Sequence, residues 1–197
     1  MNYTDKAIES RKAEHEINPL FLKRWSPRAL GKDVSKDQLM QLFEAARWAP
    51  SSNNIQPWRF IYAKNGSKHW DKFFNLLVDF NQMWCVNAAY LVIAVSNNTN
   101  PKDGSPNRTH SFDTGSAWMS IALQAADMRI ITHAMGGFDY DKAKDMLGLT
   151  EHYNVEAMFA VASEAELNVI PERMQKGEVP STRKKVEEFV FEGSLDD

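Results

Sequence analysis

Hydroxyls, amides and two prolines crowd the stretch Trp48-Ala49-Pro50-Ser51-Ser52-Asn53-Asn54-Ile55-Gln56-Pro57-Trp58-Arg59-Phe60. Ser51, Ser52, Asn53, Asn54 and Gln56 supply short donors and acceptors. Pro50 and Pro57 fix φ, and Trp48 and Trp58 add flat apolar walls. Together these groups suit a planar ligand with polar edges. Read alone, the same residues equally describe a loop whose polar groups satisfy its own turns.

Three further groups bear chemistry. Lys23-Arg24-Trp25-Ser26-Pro27-Arg28 places two guanidinium forks around a hydroxyl, and Arg183-Lys184-Lys185 forms a second basic cluster far along the chain. Arginine grips phosphate bidentately and stays charged at any working pH. Taken singly, each cluster reads as a solvated basic turn. Brought together they would suit a phosphate of roughly −2 charge. In Phe80-Asn81-Gln82-Met83-Trp84, Asn81 offers a donor and an acceptor, or simply ends a helix. In His133-Ala134-Met135-Gly136-Gly137-Phe138-Asp139, Gly136 and Gly137 expose backbone N–H groups before a helix, as a ligand cradle or a plain turn. Asp139 suits the helix cap. His110 and His133 lack a second ligand at metal spacing and read as core or surface histidines, so no metal is expected.

The elements that must position these groups follow from periodicity. Val34-Ser35-Lys36-Asp37-Gln38-Leu39 is a capping box whose helix presents Leu39, Leu42, Phe43 and Ala46 on one face and stops at Pro50. Residues 59–63 predict a strand closed by Asn65-Gly66, and Ser67 then caps a helix carrying Trp70, Phe73, Phe74 and Leu77. The continuous apolar run 88–96 predicts a central strand buried on both faces. Residues 97–107, with Pro101, Gly104 and Pro106, predict an exposed loop. A helix over 114–128 is apolar around most of its surface through Trp118, Met119, Ile121, Ala122, Ala125 and Ala126, which points to burial at a subunit contact. Gly148 suits the left-handed position after the next helix, and residues 155–162 predict another strand. Helices around a central mixed β-sheet make the fold class α+β.

The whole chain sets bounds. At 197 residues it fits one domain over 1–197, with an amino-terminal extension of about 1–18 and a carboxy-terminal arm of about 178–197. A net charge of −3 offers no field for nucleic acid or a membrane surface. The lone Cys85 excludes an internal disulfide and a cysteine-rich metal site. The polar start, Met1 to Ile17, lacks the apolar core of a signal peptide, so a cytoplasmic protein is expected.

The run from Ala45 to Phe60 resembles the signature of the FMN-dependent nitroreductase family, and all four motifs occur in family order between Leu22 and Phe191. The resemblance implies a homodimeric fold with two flavins at the interface. It implies that Arg24, Ser26, Arg183 and Lys184 contact the FMN phosphate and ribityl chain, with Trp25 contributing by backbone or stacking. Arg28 would sit beside the flavin pyrimidine edge and tune it, and no side-chain acid or base is expected. Pro50, Ser51, Ser52, Asn54 and Gln56 would reach the flavin held by the partner's arginines. Asn81 would contact the flavin, as would Gly136 and Gly137 near its N5. Trp84 stands where some members carry a basic residue. Arg129 replaces a frequent glycine, and residues 162–166 replace a glycine-containing turn. The implied activity passes hydride from NADH or NADPH through flavin N5 to a nitroaromatic, quinone or similar small-molecule acceptor, in a ping-pong sequence. A non-catalytic flavin-binding module, or a dehydrogenase, dehalogenase or flavin-modifying reaction on the same fold, stands as the alternative.

Overall fold

A computed structural model describes residues 3–195. The ends of the expected extension and arm, residues 1, 2, 196 and 197, lie outside the described residues. Helices α1 (Tyr3–Ser10) and α2 (Leu20–Lys23) lead to the short strand β1 (Leu30–Gly31) and helix α3 (Lys36–Arg47). Strand β2 (Trp58–Lys64), helices α4 (Trp70–Phe74) and α5 (Asp79–Cys85), and strand β3 (Tyr90–Asn97) follow. Then come α6 (His110–Asp127), β4 (Ile131–Met135), α7 (Tyr140–Met146), β5 (Tyr153–Glu164) and α8 (Glu172–Gln175).

The sheet runs β1-β5-β3-β2, with β4 also on β5, and every pairing is antiparallel. The expected mixed sheet is therefore corrected. The apolar run of β3 reflects burial on both faces, which parallel strands share with central antiparallel strands that helices cover from both sides. Side chains alternate accordingly. Leu91, Ile93 and Val95 join Met158, Ala160 and Ala162 of β5 and Trp70, Phe73 and Trp84 in one core. Tyr90, Val92 and Ala94 join Phe159 and Val161 with Leu39, Leu42, Ala117 and Ile121 of α3 and α6 in the other.

Local signals place most elements. Ser35 and Gln38 close the capping box of α3, and Val34 and Leu39 share its core. Asp139 caps α7 by accepting the Lys142 N–H, and Gly148 adopts φ 62° beyond it. Tertiary contacts override other signals. The cap of α4 is His69, not Ser67, and Leu77 leaves the helix to bridge Phe138. Helix α6 starts one turn before the expected 114, after Asn107 Oδ1 accepts from the backbone and hydroxyl of Thr109. Residues 97–107 are pinned by a Thr99–Pro106 bridge, and Asn107 is buried. The strand expected over 155–162 runs on to Glu164, into the residues that replace the glycine-containing turn, and pairs with β1 and β4. Glycine appears across the ladder instead, because a Cβ at Gly31 would lie 2.5 Å from Ser163 Oγ.

Tyr3 and Ala7 are buried, and Tyr3 OH donates to Ala165 O at 2.8 Å. Among the described residues no helix is long and apolar enough to cross a membrane.

Candidate functional site

The two basic clusters, 155 or more residues apart in sequence, meet at one cavity. Its volume is about 320 Å³, and its wall includes Arg11, Arg24, Trp25, Ser26, Arg28, His133, Glu178 and Arg183. Four arginines face one carboxylate, and among the described residues Arg11, Arg24 and Arg183 are in no ion pair. Arg24 Nη1 donates to Ser26 Oγ at 3.2 Å. Burial, and then repulsion from Arg183, lowers the pKa of Arg24. Like charges gathered this way are costly unless an anion joins them.

Arg11 was not legible as a site residue, since it is one charge among several in the polar stretch before Ile17. Its Nη1 donates to the carbonyls of Leu22 and Arg24 at 2.9 and 2.8 Å, clamping the backbone that carries Arg24. Its Nε is buried with no hydrogen-bond partner among the described residues. Arg183, on the exposed carboxy-terminal segment, donates to Ser181 Oγ at 2.8 Å. Lys184 lines a wider cleft against residues 10–17 that adjoins this cavity through Arg11, Ser181 and Arg183. The Trp25 indole is committed to the core, donating to Tyr3 O at 3.1 Å and meeting the Tyr3 ring edge-on.

Arg28 connects this cavity to the glycine turn. Its guanidinium lies 6.0 Å from the ring of Phe80, the neighbour of Asn81 on α5. Asn81 is buried, and its Nδ2 donates to Gly137 O at 2.9 Å. A Cβ at Gly137 would fall 2.6 Å from that nitrogen, so only glycine permits the close approach. Asn81 thus braces the turn that exposes Gly136. Trp84 is not at the cavity: it is buried in the core, its ring 4.5 Å from that of His133. His133 Nδ1 lies 3.0 Å from Pro27 O, and burial pushes its pKa down to about 4.

The loop of Pro50, Ser51, Ser52, Asn54 and Gln56 lies elsewhere. It enters β2, whereas the arginine cavity borders β1 and β4, on the other side of β3 and β5. Three strand spacings of about 4.8 Å separate these edges by roughly 14 Å. Trp58 is a core residue rather than a ligand wall, and Trp48 is 74% exposed. Asn53, Asn54 and Gln56 hold φ of 50°, 54° and 53°, a strained run for residues other than glycine. It is held by Ser51 Oγ, which accepts the Gln56 N–H at 3.0 Å, and by the buried Asp113, whose Oδ2 accepts the Ser52 N–H at 3.2 Å. Asp113 was missed because it stands one residue before the helix expected from 114, in the turn by which α6 is longer than its apolar pattern.

A profile of the nitroreductase family matches residues 22–83. A solved oxidoreductase containing FMN is 39% identical, covering 94% of this chain and 96% of its own with a TM-score of 0.89. The chain belongs to the nitroreductase family. The fold is shared with a nitroreductase family protein from Clostridium difficile 630, 22% identical over 89% of this chain and 97% of its own, TM-score 0.68. It is shared too with a Desulfovibrio desulfuricans chain, provisionally named a nitroreductase and solved in complex with FMN. That chain is 20% identical over 91% of this chain and 99% of its own, TM-score 0.70. No protein of curated function matches.

Proposed function

We propose that this nitroreductase family chain is an FMN-dependent oxidoreductase that uses NADH or NADPH to reduce a nitroaromatic, quinone or similar acceptor in the cytoplasm. The observation that carries the reading is the convergence of Arg11, Arg24 and Arg183, none ion-paired among the described residues, on one cavity. A terminal phosphate of roughly −2 charge relieves their mutual repulsion and supplies acceptors for the guanidinium donors that line the cavity. A related oxidoreductase at 39% identity contains FMN, which supports the same cofactor here.

FMN, when bound, would supply hydride-transfer chemistry at its N5, for two substrates that use one site in turn. The chain orients and charges the site. Arg24, Ser26 and Arg183 hold the phosphate end, while Arg11 holds the Arg24 backbone in place. Arg28 would place a cation beside the ring system, where negative charge would develop on reduction. Asn81 keeps the Gly137 turn close, so that backbone N–H groups rather than side chains would face the flavin.

Loop residues 50–56 and the arginine cavity lie on opposite sheet edges, so one chain does not gather every expected contact. We infer that a second copy of this chain brings its Pro50–Gln56 loop to the flavin. The exposed Phe112 (81%) and the exposed Phe189, Val190 and Phe191 are apolar surface that such a dimer would cover. The experiment is direct. Flavin released by heat from purified protein should chromatograph as FMN, and anaerobic NADH or NADPH should bleach the loaded protein, with colour restored by an acceptor. Recovery of FAD alone, or no flavin after reconstitution, removes the proposal.

A further inference from the structure

Among the described residues Glu178 is the one carboxylate in the arginine-lined cavity, and it is 4% exposed. Its Oε1 accepts the backbone N–H groups of Arg28 and of Ala29, the latter at 3.0 Å. Its Oε2 lies 3.6 Å from Arg28 Nη1, is buried, and accepts no hydrogen bond among the described residues. The two N–H groups need only an acceptor, which an amide oxygen would provide. A buried full charge with one bare oxygen costs desolvation, and the structure keeps it facing a guanidinium whose side chain is 33% exposed.

We propose that Glu178 is a positioning residue that grips Arg28 by backbone and side chain and sets the net charge offered to the flavin. The inference rests on the flavin-binding reading above. With Glu178 ionised, the pair presents little net charge beyond its own neighbourhood. Arg28 alone would favour reduction of the flavin more strongly, because reduction adds negative charge. Glu178 thus holds the potential below the value a lone arginine would set. One unit charge acting over about 10 Å at an effective dielectric near 20 shifts an equilibrium on the order of tenfold.

The test is a cycle of FMN midpoint potentials on loaded wild type, E178Q, R28Q and R28Q/E178Q. E178Q keeps an oxygen acceptor for both N–H groups and removes the charge. It should raise the potential, equivalent to binding reduced over oxidised FMN on the order of tenfold more favourably. R28Q leaves the carboxylate alone and should lower the potential. The double variant, again neutral, should return toward wild type. A purely structural role for Glu178 would leave the double variant at the R28Q value, and that result overturns the inference. An E178Q potential equal to wild type overturns it as well. If E178Q does not fold, the comparison of R28Q with the double variant still decides. Wild type that takes up no FMN removes the proposed function and this inference together, whereas normal uptake with unmoved potentials removes the inference alone.

Discussion

Acid should destabilise this protein through His133, by an amount the structure sets. The ring sits on β4 against Trp84, and its Nδ1 faces Pro27 O at 3.0 Å. A carbonyl only accepts, so Nδ1 carries the hydrogen and the neutral ring has none on Nε2. Burial is the largest cause lowering the pKa, and Arg28 and Arg24 add to it, against a smaller opposing effect of the Pro27 hydrogen bond. The value falls from 6.5 to about 4. In the unfolded chain the imidazole takes up a proton below about 6.5, while the folded protein resists until about 4. The stabilising contribution of neutral His133 is therefore complete above that unfolded value and is lost as pH falls toward the folded one. Linkage gives a loss of about 2 kcal/mol by pH 5 and about 3 kcal/mol by pH 4, a large share of a typical 5–15 kcal/mol. Urea unfolding at pH 7, 6 and 5, at one protein concentration, should show this slope in the wild type. H133Q, which keeps an N–H donor for Pro27 O, should lose that part of it. Equal pH dependence in the two proteins would refute the assignment of the acid-labile group to His133.

Other outcomes follow from particular contacts. Arg24→Ala and Arg183→Ala should each weaken FMN binding by about 1.5–3 kcal/mol, roughly ten- to a hundredfold, in fluorescence titrations. Lys184→Ala, outside the cavity, should change it far less. Gly137→Ala drives a methyl into Asn81 and should destabilise by about 1–3 kcal/mol in urea unfolding. Arg129, at φ 56° where the family often has glycine, closes α6 with the Ile130 N–H bonded to Ala125 O at 2.7 Å. Relief of left-handed strain in Arg129→Gly, less the entropy of glycine, should therefore leave stability unchanged or raise it by up to about 1 kcal/mol in thermal melts. Light scattering at micromolar concentration should report twice the chain mass, and Phe112→Asp should lower both that mass and flavin occupancy. Ile121 is no probe of the interface, because it is fully buried within the chain's own core.

The candidate site was legible as motifs and illegible as a place. Ser-Asn-Pro chemistry at 50–57, the Arg-x-Ser-x-Arg spacing at 24–28 and the paired glycines at 136–137 are local patterns, and the family they resemble is the one to which the chain belongs. Arg11, Asp113 and Glu178 left no such mark. Each acts by reaching another segment's backbone: Arg11 the carbonyls of Leu22 and Arg24, Asp113 the N–H of Ser52, and Glu178 the N–H groups of Arg28 and Ala29. A charged residue in a polar stretch looks the same whether it is solvated or bonded to backbone 11, 61 or 150 residues away.

What the sequence determined by itself is whatever depends on short-range sterics and period. The Ser35 capping box, the Asp139 cap, the left-handed Gly148 and the two-faced burial of β3 are decided within a few residues by hydrogen bonds or alternation, so they survive any change of partner. Strand direction, register and side-chain address are different. An apolar run carries no arrow, so the antiparallel order was decided by how the connections return across the sheet. The same packing moved the cap of α4 to His69, carried β5 on to Glu164 and turned Trp58 and Trp84 into the core. It set the loop of residues 50–56 and the arginine cavity on opposite edges, because each adjoins a different strand and sequence separation says nothing of where strands dock.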